Sequence, residues 1–303
     1  MLKLNNMETI EELPSIKKNV SLAEYTTFKI GGRAKYFFIA KTKEDLINAL
    51  SLAKRLKLRF FILGGGSNLL VSDKGYNGLV IKTKNTDLET KRKGNLIKLI
   101  CGAGMPLANL VLESIKKNAQ GLEWAAGIPG TVGGAIFGNA GAFNESMSDN
   151  IEEVEVLDIR KMAVRKFKNE DCMFEYRKSV FKKNKNLIIL SAKLKLKRGK
   201  KEKIKKTIRE HFEKRKKFQP LNYPSAGSVF VNPKTGMKTG EMIEKCGLKG
   251  KRIGRAQISE KHANFILNLG RAKEKDVKGL IVLIKKRVKN KFGIILKEEI
   301  ISI

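Results

Sequence analysis

The sequence predicts an α+β protein built from more than one domain. Its 303 residues exceed what a single hydrophobic core usually covers, so two or three domains are expected. Amphipathic stretches at helical spacing are interleaved with short apolar runs of strand length. The 42% hydrophobic content, the 27 glycines and the 6 prolines are typical of a globular protein with many tight turns.

The first part of the chain has the order helix, strand, glycine loop. A helix is predicted over 43–58, where one apolar stripe is formed by Leu46, Leu50, Ala53 and Leu56. A short buried strand over 60–63 follows, and it ends abruptly at the loop Gly64-Gly65-Gly66-Ser67-Asn68. A second apolar run then resumes at 69–71.

The middle of the chain is predicted to contain two strands, a helix and a second glycine-rich segment. The apolar runs 78–81 and 96–100 are typical of strands, and a helix over 107–117 follows Pro106. The glycine-rich segment 125–142 is too long for a simple turn and unusually apolar for a linker. We therefore expect it to form a wall around a ligand.

The remaining elements predict a smaller α+β unit at the C-terminal end. Strands over 153–159 and 187–196 precede a strongly charged helix over 201–217, and a domain boundary is expected near that helix. Helices near 238–246 and 274–291 flank the segment 255–268. The last helix carries an apolar stripe that indicates a core-facing helix rather than a membrane-bound one: Val277, Leu280, Ile281, Ile284 and Val288.

The formal net charge of +33 makes a basic nucleic-acid-binding protein the main alternative to an enzyme. Against this alternative, the basic residues are spread along the chain, and their modest clusters at 197–206, 215–217 and 285–291 fit solvated helix faces. The sequence has no zinc-finger spacing, no aromatic RNA-binding motif and only 2 histidines. We expect no specific nucleic-acid partner, although a positive cleft would attract small anionic ligands.

The cysteines and the N-terminus indicate a cytoplasmic protein. Cys101, Cys172 and Cys246 are odd in number and widely spaced, which argues against a disulfide framework and against a thiolate metal site. The first eight residues contain no apolar stretch of a signal peptide, and no later stretch is apolar for long enough to span a bilayer. We expect a reducing compartment, no bound metal and no membrane partner.

The loop Gly64-Gly65-Gly66-Ser67-Asn68 allows two interpretations. Its backbone N–H groups can approach a phosphate because no side chain blocks them, and Ser67 and Asn68 can donate further hydrogen bonds, so a pyrophosphate is the natural ligand. Such runs are more often simple turns. The loop is not a Rossmann fingerprint, because Leu69 stands where the third glycine belongs, and no Walker A motif is present.

Six segments, spread from about residue 20 to the C-terminus, carry a family resemblance: 26–32, 63–70, 126–142 with Glu145, 176–181, 219–220 with 224–233, and 256–266. The last two are the most specific. With these segments the chain resembles the UDP-N-acetylenolpyruvoylglucosamine reductases, or MurB enzymes, of bacterial peptidoglycan synthesis. The short, lysine-rich interval between Arg177 and Ser228 resembles the shorter, second type of that family.

The resemblance implies a vanillyl-alcohol-oxidase-like (PCMH-type) FAD-binding fold of two subdomains, 1–75 and 76–200, and a substrate-binding domain, 201–303. It implies FAD as cofactor and NADPH as hydride donor. The FAD is expected to be non-covalent, because no His or Cys beside the glycine loops is placed for a flavin link. The residues implied to bind it are Gly64, Gly65, Gly66, Ser67, Asn68, Leu69, Gly127, Pro129, Gly130, Gly133, Gly134, Asn139 and Gly141.

The resemblance also implies the reaction, the NADPH-dependent reduction of UDP-N-acetylglucosamine enolpyruvate to UDP-N-acetylmuramic acid. The catalytic positions fall on Arg177, Ser228 and Glu299, with the neighbouring Glu298 as the alternative carboxyl. Hydride addition leaves negative charge on the substrate as an enolate, which a guanidinium and a protonated carboxyl would stabilise. A hydroxyl would then deliver the proton. Substrate contacts are expected from three further positions of the matching segments: Tyr176, Asn232 and Gln257.

Overall fold

The structure, a computed structural model, describes residues 9–234 and 236–303. Residues 1–8, on which the expectation of no signal peptide partly rests, lie outside the described residues. The described strands, labelled β1 to β17 in chain order, are Lys17–Ser21, Arg33–Ala40, Phe60–Leu63, Leu69–Leu70, Tyr76–Thr83, Leu88–Lys93, Leu96–Gly102, Ala119–Gln120, Gly141–Ala142, Glu145–Ser146, Ile151–Asp158, Ala163–Lys168, Leu187–Arg198, Arg252–Ile253, Ala256–Ile258, Ile266–Asn268 and Ile301–Ser302.

The described α-helices, labelled α1 to α7, are Lys43–Arg55, Leu107–Lys116, Val132–Gly138, Val180–Lys183, Lys201–Phe218, Thr239–Lys245 and Glu274–Phe292. Short 3₁₀ helices lie between them at Ile10–Glu12, Ala23–Tyr25, Glu123–Ala125, Met147–Asp149 and Glu170–Cys172. This mixture of mainly antiparallel sheets and separate helices confirms the predicted α+β class.

The first sheet has four strands in the order β1-β2-β5-β3, in which β2, β5 and β3 are parallel. Helix α1 connects β2 to β3 and buries Leu46 in a core shared with Phe38 of β2. Thr42 and Asp45 cap the start of α1: the Thr42 hydroxyl oxygen accepts a hydrogen bond from the Asp45 N–H at 3.0 Å. Because β3 ends at the glycine loop, this loop lies at the carboxyl end of a parallel strand, where open sheets bind ligands.

The second sheet is antiparallel, with the order β12-β11-β13-β7-β6 and β8 paired to β13. One of its faces packs against α2, α3 and α4 around the fully buried rings of Trp124 and Phe181. Leu157, Ile188 and Leu190 point to the other face and join the core of helix α1. The two sheets therefore share α1 and form one packed body.

The C-terminal unit consists of the sheet β14-β15-β16 with helices α6 and α7. The apolar stripe of α7 lies in the core of this unit, which confirms its core-facing interpretation: Val277, Leu280, Ile281, Ile284 and Val288 are all buried. None of the described helices is long and apolar enough to span a membrane.

The C-terminal tail returns to the glycine loop of the first sheet. Strand β17 pairs in parallel with β4, so that Ile301 lies opposite Leu69. The Ile301 N–H donates to the Asn68 carbonyl oxygen at 3.0 Å, and the Asn68 side-chain amide donates to the Glu299 carbonyl oxygen at 3.1 Å. This pairing brings the end of the chain beside the residues that follow β3.

The elements predicted from periodicity and composition are confirmed within a few residues at their ends. The segment 125–142 contains the short helix α3, which its many glycines did not indicate. This helix begins after Thr131, and the Thr131 hydroxyl oxygen accepts a hydrogen bond from the Gly134 N–H at 3.3 Å. The domain limits at 75 and 200 stay predictions. Strand β5 begins at Tyr76 and is hydrogen-bonded to β2 and β3, so the first sheet continues to Thr83.

Candidate active site

A cavity of 1820 Å³ opens between the glycine loop, helix α3, the segment after α5 and the C-terminal tail. A typical pocket for one drug-sized ligand has a volume of about 300–1,000 Å³, so this cavity has room for more than one such molecule. Residues of the first sheet, of the second sheet and of the C-terminal part of the chain all contribute to its lining. It is therefore the place where residues distant in sequence meet.

The two glycine-rich segments touch each other at the wall of this cavity. A Cβ atom added to Gly65 would lie 2.5 Å from the Cα of Gly130, so Gly65 has no room for a side chain at the contact, and Gly130 has a φ of +136° that favours glycine. Gly66 has a φ of +66°, and a Cβ there would lie 2.0 Å from the Tyr25 carbonyl oxygen. The Ser67 hydroxyl donates to the Pro129 carbonyl oxygen at 2.9 Å and ties the segments together.

Eleven of the thirteen residues expected to bind the cofactor line the cavity: Gly64, Gly65, Gly66, Ser67, Asn68, Leu69, Pro129, Gly130, Gly133, Gly134 and Gly141. Gly127 and Asn139 are not among the lining residues. Asn139 is buried at the end of α3, with a left-handed φ of 42°, and its side chain holds the backbone of Ser148 and Glu175. Asn139 therefore supports the backbone next to the cavity wall. Contact of Gly127 and Asn139 with the cofactor stays a prediction.

Arg177 and Glu299 form an ion pair in the cavity. The Arg177 Nε donates to a Glu299 carboxylate oxygen at 2.8 Å, and the side chains of both residues are about one-fifth exposed. The same guanidinium donates to the Gly141 carbonyl oxygen at 2.9 Å. Arg177 has a φ of 58°, a left-handed conformation that turns the chain sharply between Glu175 and Lys178. The turn directs the Arg177 side chain back towards the C-terminal tail.

The surroundings of Glu299 act on the pKa of its carboxyl in opposite directions. Burial raises the pKa of the Glu299 carboxyl above its ordinary value, while Arg177 and Lys182 oppose the increase. The neighbouring Glu298 is outside the cavity lining and forms an ion pair with Lys285. Of the two carboxyls considered from the sequence, only that of Glu299 therefore faces the cavity.

Ser228 lines the cavity and lies on the chain that pairs with the C-terminal tail. It follows Gly227, which has a φ of 74°, and it forms an isolated β-bridge with Phe265. The next residue, Val229, accepts a hydrogen bond at its carbonyl oxygen from the Glu299 N–H at 2.8 Å. The backbone thus fixes Ser228 near Glu299, and the structure brings all three expected catalytic residues to one cavity.

The three expected substrate contacts are not among the described lining residues of the cavity, although the Tyr176 ring lies 4.9 Å from the Arg177 guanidinium. Tyr176 and Asn232 are exposed and not among the lining residues, and the Asn232 amide is 3.4 Å from the Tyr176 hydroxyl. Gln257 is buried in β15, where its amide donates to the Gly250 carbonyl oxygen at 3.1 Å. The structure does not bring these residues to the described lining, so their contact with substrate stays a prediction.

Sequence reasoning missed most of the charged lining of the cavity. Eight basic side chains line it: Lys29, Arg59, Lys74, Lys82, Arg177, Lys182, Lys185 and Arg215. Among the described lining residues, only Glu24 and Glu299 are acidic. Lys182 donates to the Arg177 carbonyl oxygen at 3.2 Å, and burial lowers the pKa of its amine. The excess of positive charge suits anionic ligands.

Comparison with known proteins identifies the family. Residues 219–303 match the model described as the C-terminal domain of UDP-N-acetylenolpyruvoylglucosamine reductase, and residues 34–162 match an FAD binding domain. UDP-N-acetylenolpyruvoylglucosamine reductase of Caldicellulosiruptor bescii is 45% identical over 99% of this chain and 92% of its own length. This chain belongs to the UDP-N-acetylenolpyruvoylglucosamine reductase family. A second member, from Caldanaerobacter subterraneus, is 43% identical over 93% of this chain and 91% of its own.

Solved structures confirm the fold that the sequence predicts. The crystal structure of UDP-N-acetylenolpyruvylglucosamine reductase from Thermus caldophilus matches with a TM-score of 0.80 and 36% identity, over 95% of this chain and 99% of that chain. Cholesterol oxidase from Brevibacterium sterolicum matches with a TM-score of 0.50 at 15% identity over 63% of this chain, a likeness of fold alone. The protein thus has an α+β fold with an FAD binding domain and the C-terminal domain of the reductase family.

Proposed function

We propose that this protein reduces UDP-N-acetylglucosamine enolpyruvate to UDP-N-acetylmuramic acid, with FAD as cofactor and NADPH as hydride donor, in peptidoglycan precursor synthesis. Family membership over nearly the whole of this chain and the meeting of Arg177, Ser228 and Glu299 at one cavity support the proposal. The reaction is expected in the cytoplasm, where the nucleotide-linked substrate and NADPH are available. The partners are therefore two small anionic molecules.

The cavity fits FAD. The contact between Gly65 and Gly130 leaves no side chain to obstruct a pyrophosphate, and the N–H groups of a glycine loop are suited to bind it. Ser67 and Asn68 add polar side chains to this part of the lining. Among the described residues, no cluster of His, Cys, Asp or Glu could hold a metal ion, so no metal is assigned to the site. Held by the two glycine segments, FAD would supply the hydride-transfer chemistry between NADPH and the substrate.

The residues of the chain act on the charge and the proton of the substrate. Hydride addition to the enolpyruvyl methylene carbon leaves an enolate on the adjacent carbon and carboxylate. We assign Arg177 and the protonated Glu299 to the stabilisation of this enolate, because both are held in the partly buried cavity, where electrostatic interactions are strengthened. Ser228 delivers a proton to the carbon next to the carboxylate, which completes the lactyl ether.

The purified protein itself provides the test of this function. We expect a yellow protein that releases FAD on acid precipitation and whose flavin is reduced by NADPH under anaerobic conditions. Addition of UDP-N-acetylglucosamine enolpyruvate should reoxidise the flavin with formation of one equivalent of UDP-N-acetylmuramic acid. UDP-N-acetylglucosamine, which lacks the enolpyruvyl group, is the control and should leave the flavin reduced. A protein that binds no flavin when refolded with excess FAD would contradict the proposal.

A further inference from the structure

Arg215, in the last turn of α5, lines the cavity beside the second glycine-rich segment. A Cβ atom added to Gly127 would lie 3.5 Å from the Cδ of Arg215 and 3.1 Å from the ring of Phe212. The apolar stem of Arg215 therefore packs against the turn at Gly127. This turn leads within three residues to Gly130, which is in contact with Gly65.

The guanidinium of Arg215 lacks a partner among the described residues. Its Nε is buried, and no described side chain or carbonyl group accepts a hydrogen bond from it. Burial lowers the pKa of this guanidinium, and no nearby carboxylate opposes the decrease. The neighbouring Lys214, Lys216 and Lys217 are exposed and remain hydrated. A buried cationic donor without a partner is costly, so this position favours an anionic ligand.

A second cation lies beside the first glycine segment. The Lys82 amine donates to the Gly64 carbonyl oxygen, and burial lowers the pKa of this amine. Arg215 approaches from the segment of Gly127 and Lys82 from the first sheet. The wall that contains the contact between Gly65 and Gly130 thus carries two partly desolvated positive charges, Lys82 beside Gly64 and Arg215 beside Gly127.

We propose that Arg215 binds the diphosphate group of a nucleotide ligand in this cavity. A guanidinium offers a planar pair of N–H donors that matches two phosphate oxygens, which a lysine at the same place cannot reproduce. FAD and the UDP-sugar both carry a diphosphate, and naming these two as its sources rests on the function proposed above. The contact of Arg215 with the Gly127 turn places the flavin diphosphate first, because the same segment meets Gly65 at Gly130.

Three variants test this role. Arg215→Met keeps most of the apolar stem beside Gly127 and removes the charge, Arg215→Lys keeps the charge without the planar donors, and Arg209→Met removes an exposed arginine of the same helix. The Kd of FAD is measured on the apoprotein by quenching of flavin fluorescence, and the Kd of UDP is measured on the holoenzyme by calorimetry. We expect Arg215→Met to raise one of these constants about 10- to 100-fold. Arg215→Lys should recover part of the loss, and Arg209→Met should match the native protein.

The two ligands distinguish the source of the diphosphate. An increase confined to the Kd of FAD assigns Arg215 to the cofactor, and an increase confined to the Kd of UDP assigns it to the substrate. Unchanged constants for both ligands in an Arg215→Met protein with native circular dichroism and native apoprotein Tm would overturn the proposal. Neither binding assay requires turnover. A native protein that binds both ligands but does not reduce the enolpyruvyl substrate would contradict the proposed function alone.

Discussion

The Nε of Arg177 donates a hydrogen bond to the carboxylate of Glu299 at 2.8 Å across 122 residues of sequence. The two residues reach each other by different routes. Arg177 occupies a tight turn with a positive φ of 58°, and Glu299 is carried in by the pairing of β17 with β4. Burial raises the pKa of the Glu299 carboxyl, and the Arg177 guanidinium opposes this increase, so the two residues are electrostatically coupled in the cavity.

The first prediction compares the two adjacent glutamates of the tail. Glu299→Ala should slow flavin reoxidation by the enolpyruvyl substrate by about 10²- to 10³-fold, because it removes a hydrogen-bond donor to the enolate. Glu298→Ala is the matched control, since Glu298 lies outside the cavity lining and pairs with Lys285. It should leave this rate within about threefold of the native value. A larger loss in Glu298→Ala than in Glu299→Ala, measured by stopped-flow absorbance, would exchange the two assignments.

The second prediction concerns the pH dependence of the same half-reaction. In the proposed mechanism Glu299 acts in its protonated form, and burial raises its pKa, so the rate of reoxidation should fall as pH rises through a value above the ordinary carboxyl range of about 4.3. Arg177→Met removes the group that most strongly opposes the increase and should move this fall to higher pH, at a lower overall rate. Glu299→Gln keeps an N–H donor and should abolish the fall. If the rate of Glu299→Gln still falls over the same pH range, a group other than Glu299 causes the pH dependence.

The sequence predicted those elements and residues that have a local pattern or lie in a segment shared with the family. The glycine loop, helix α1 and the apolar stripe of α7 follow from period and composition, and the family resemblance pointed to Arg177, Ser228 and Glu299. The pairing of β17 with β4 was not predictable, because each strand has only two residues and its partner is more than 200 residues away. No local pattern distinguished Lys82, Lys182 or Arg215 from the other members of the chain's 63 basic residues.

Gln257 shows why a matching segment does not assign a role to each of its residues. Its side chain donates to the Gly250 carbonyl oxygen and fixes a turn within the C-terminal unit. The Asn264 side chain of the same segment accepts from the Phe230 N–H at 3.0 Å and donates to the Phe230 carbonyl oxygen at 2.8 Å. The Asn264 side chain thus holds the chain segment that follows Ser228. Position in a shared segment therefore fits a supporting role as readily as ligand contact.

The third prediction tests the contact between the glycine segments. Gly65→Ala should raise the Kd of FAD at least about tenfold, because the added Cβ would meet Gly130 at 2.5 Å and force the two segments apart. Gly279→Ala in α7 is the control, since its Cβ would meet only the tip of Ile253 at 3.0 Å, a flexible side chain that can move. Fluorescence titration of both apoproteins measures the effect. Equal FAD affinity in the two variants would show that the contact between Gly65 and Gly130 does not contribute to FAD binding.

The fourth prediction addresses the high positive charge. Binding to a short DNA duplex should be weak, independent of sequence and lost near 0.15 M salt, because the basic side chains outside the cavity are largely exposed and scattered. Gel-shift titrations at low and physiological salt test this expectation. Saturable binding at physiological salt that disappears when Lys285, Lys286 and Arg287 are neutralised together would instead favour a nucleic-acid-binding role.

The most direct test of the catalytic account separates the two half-reactions in Ser228→Ala. In the proposed mechanism the serine hydroxyl is used only after hydride has reached the substrate, so its loss should leave FAD content and the rate of flavin reduction by NADPH close to native. Reoxidation by UDP-N-acetylglucosamine enolpyruvate should fall by about 10² to 10⁴, the range expected when a positioned proton donor is removed. Anaerobic stopped-flow absorbance of the flavin measures each step alone. Slow reduction by NADPH together with native reoxidation by substrate would show that Ser228 is not the proton donor.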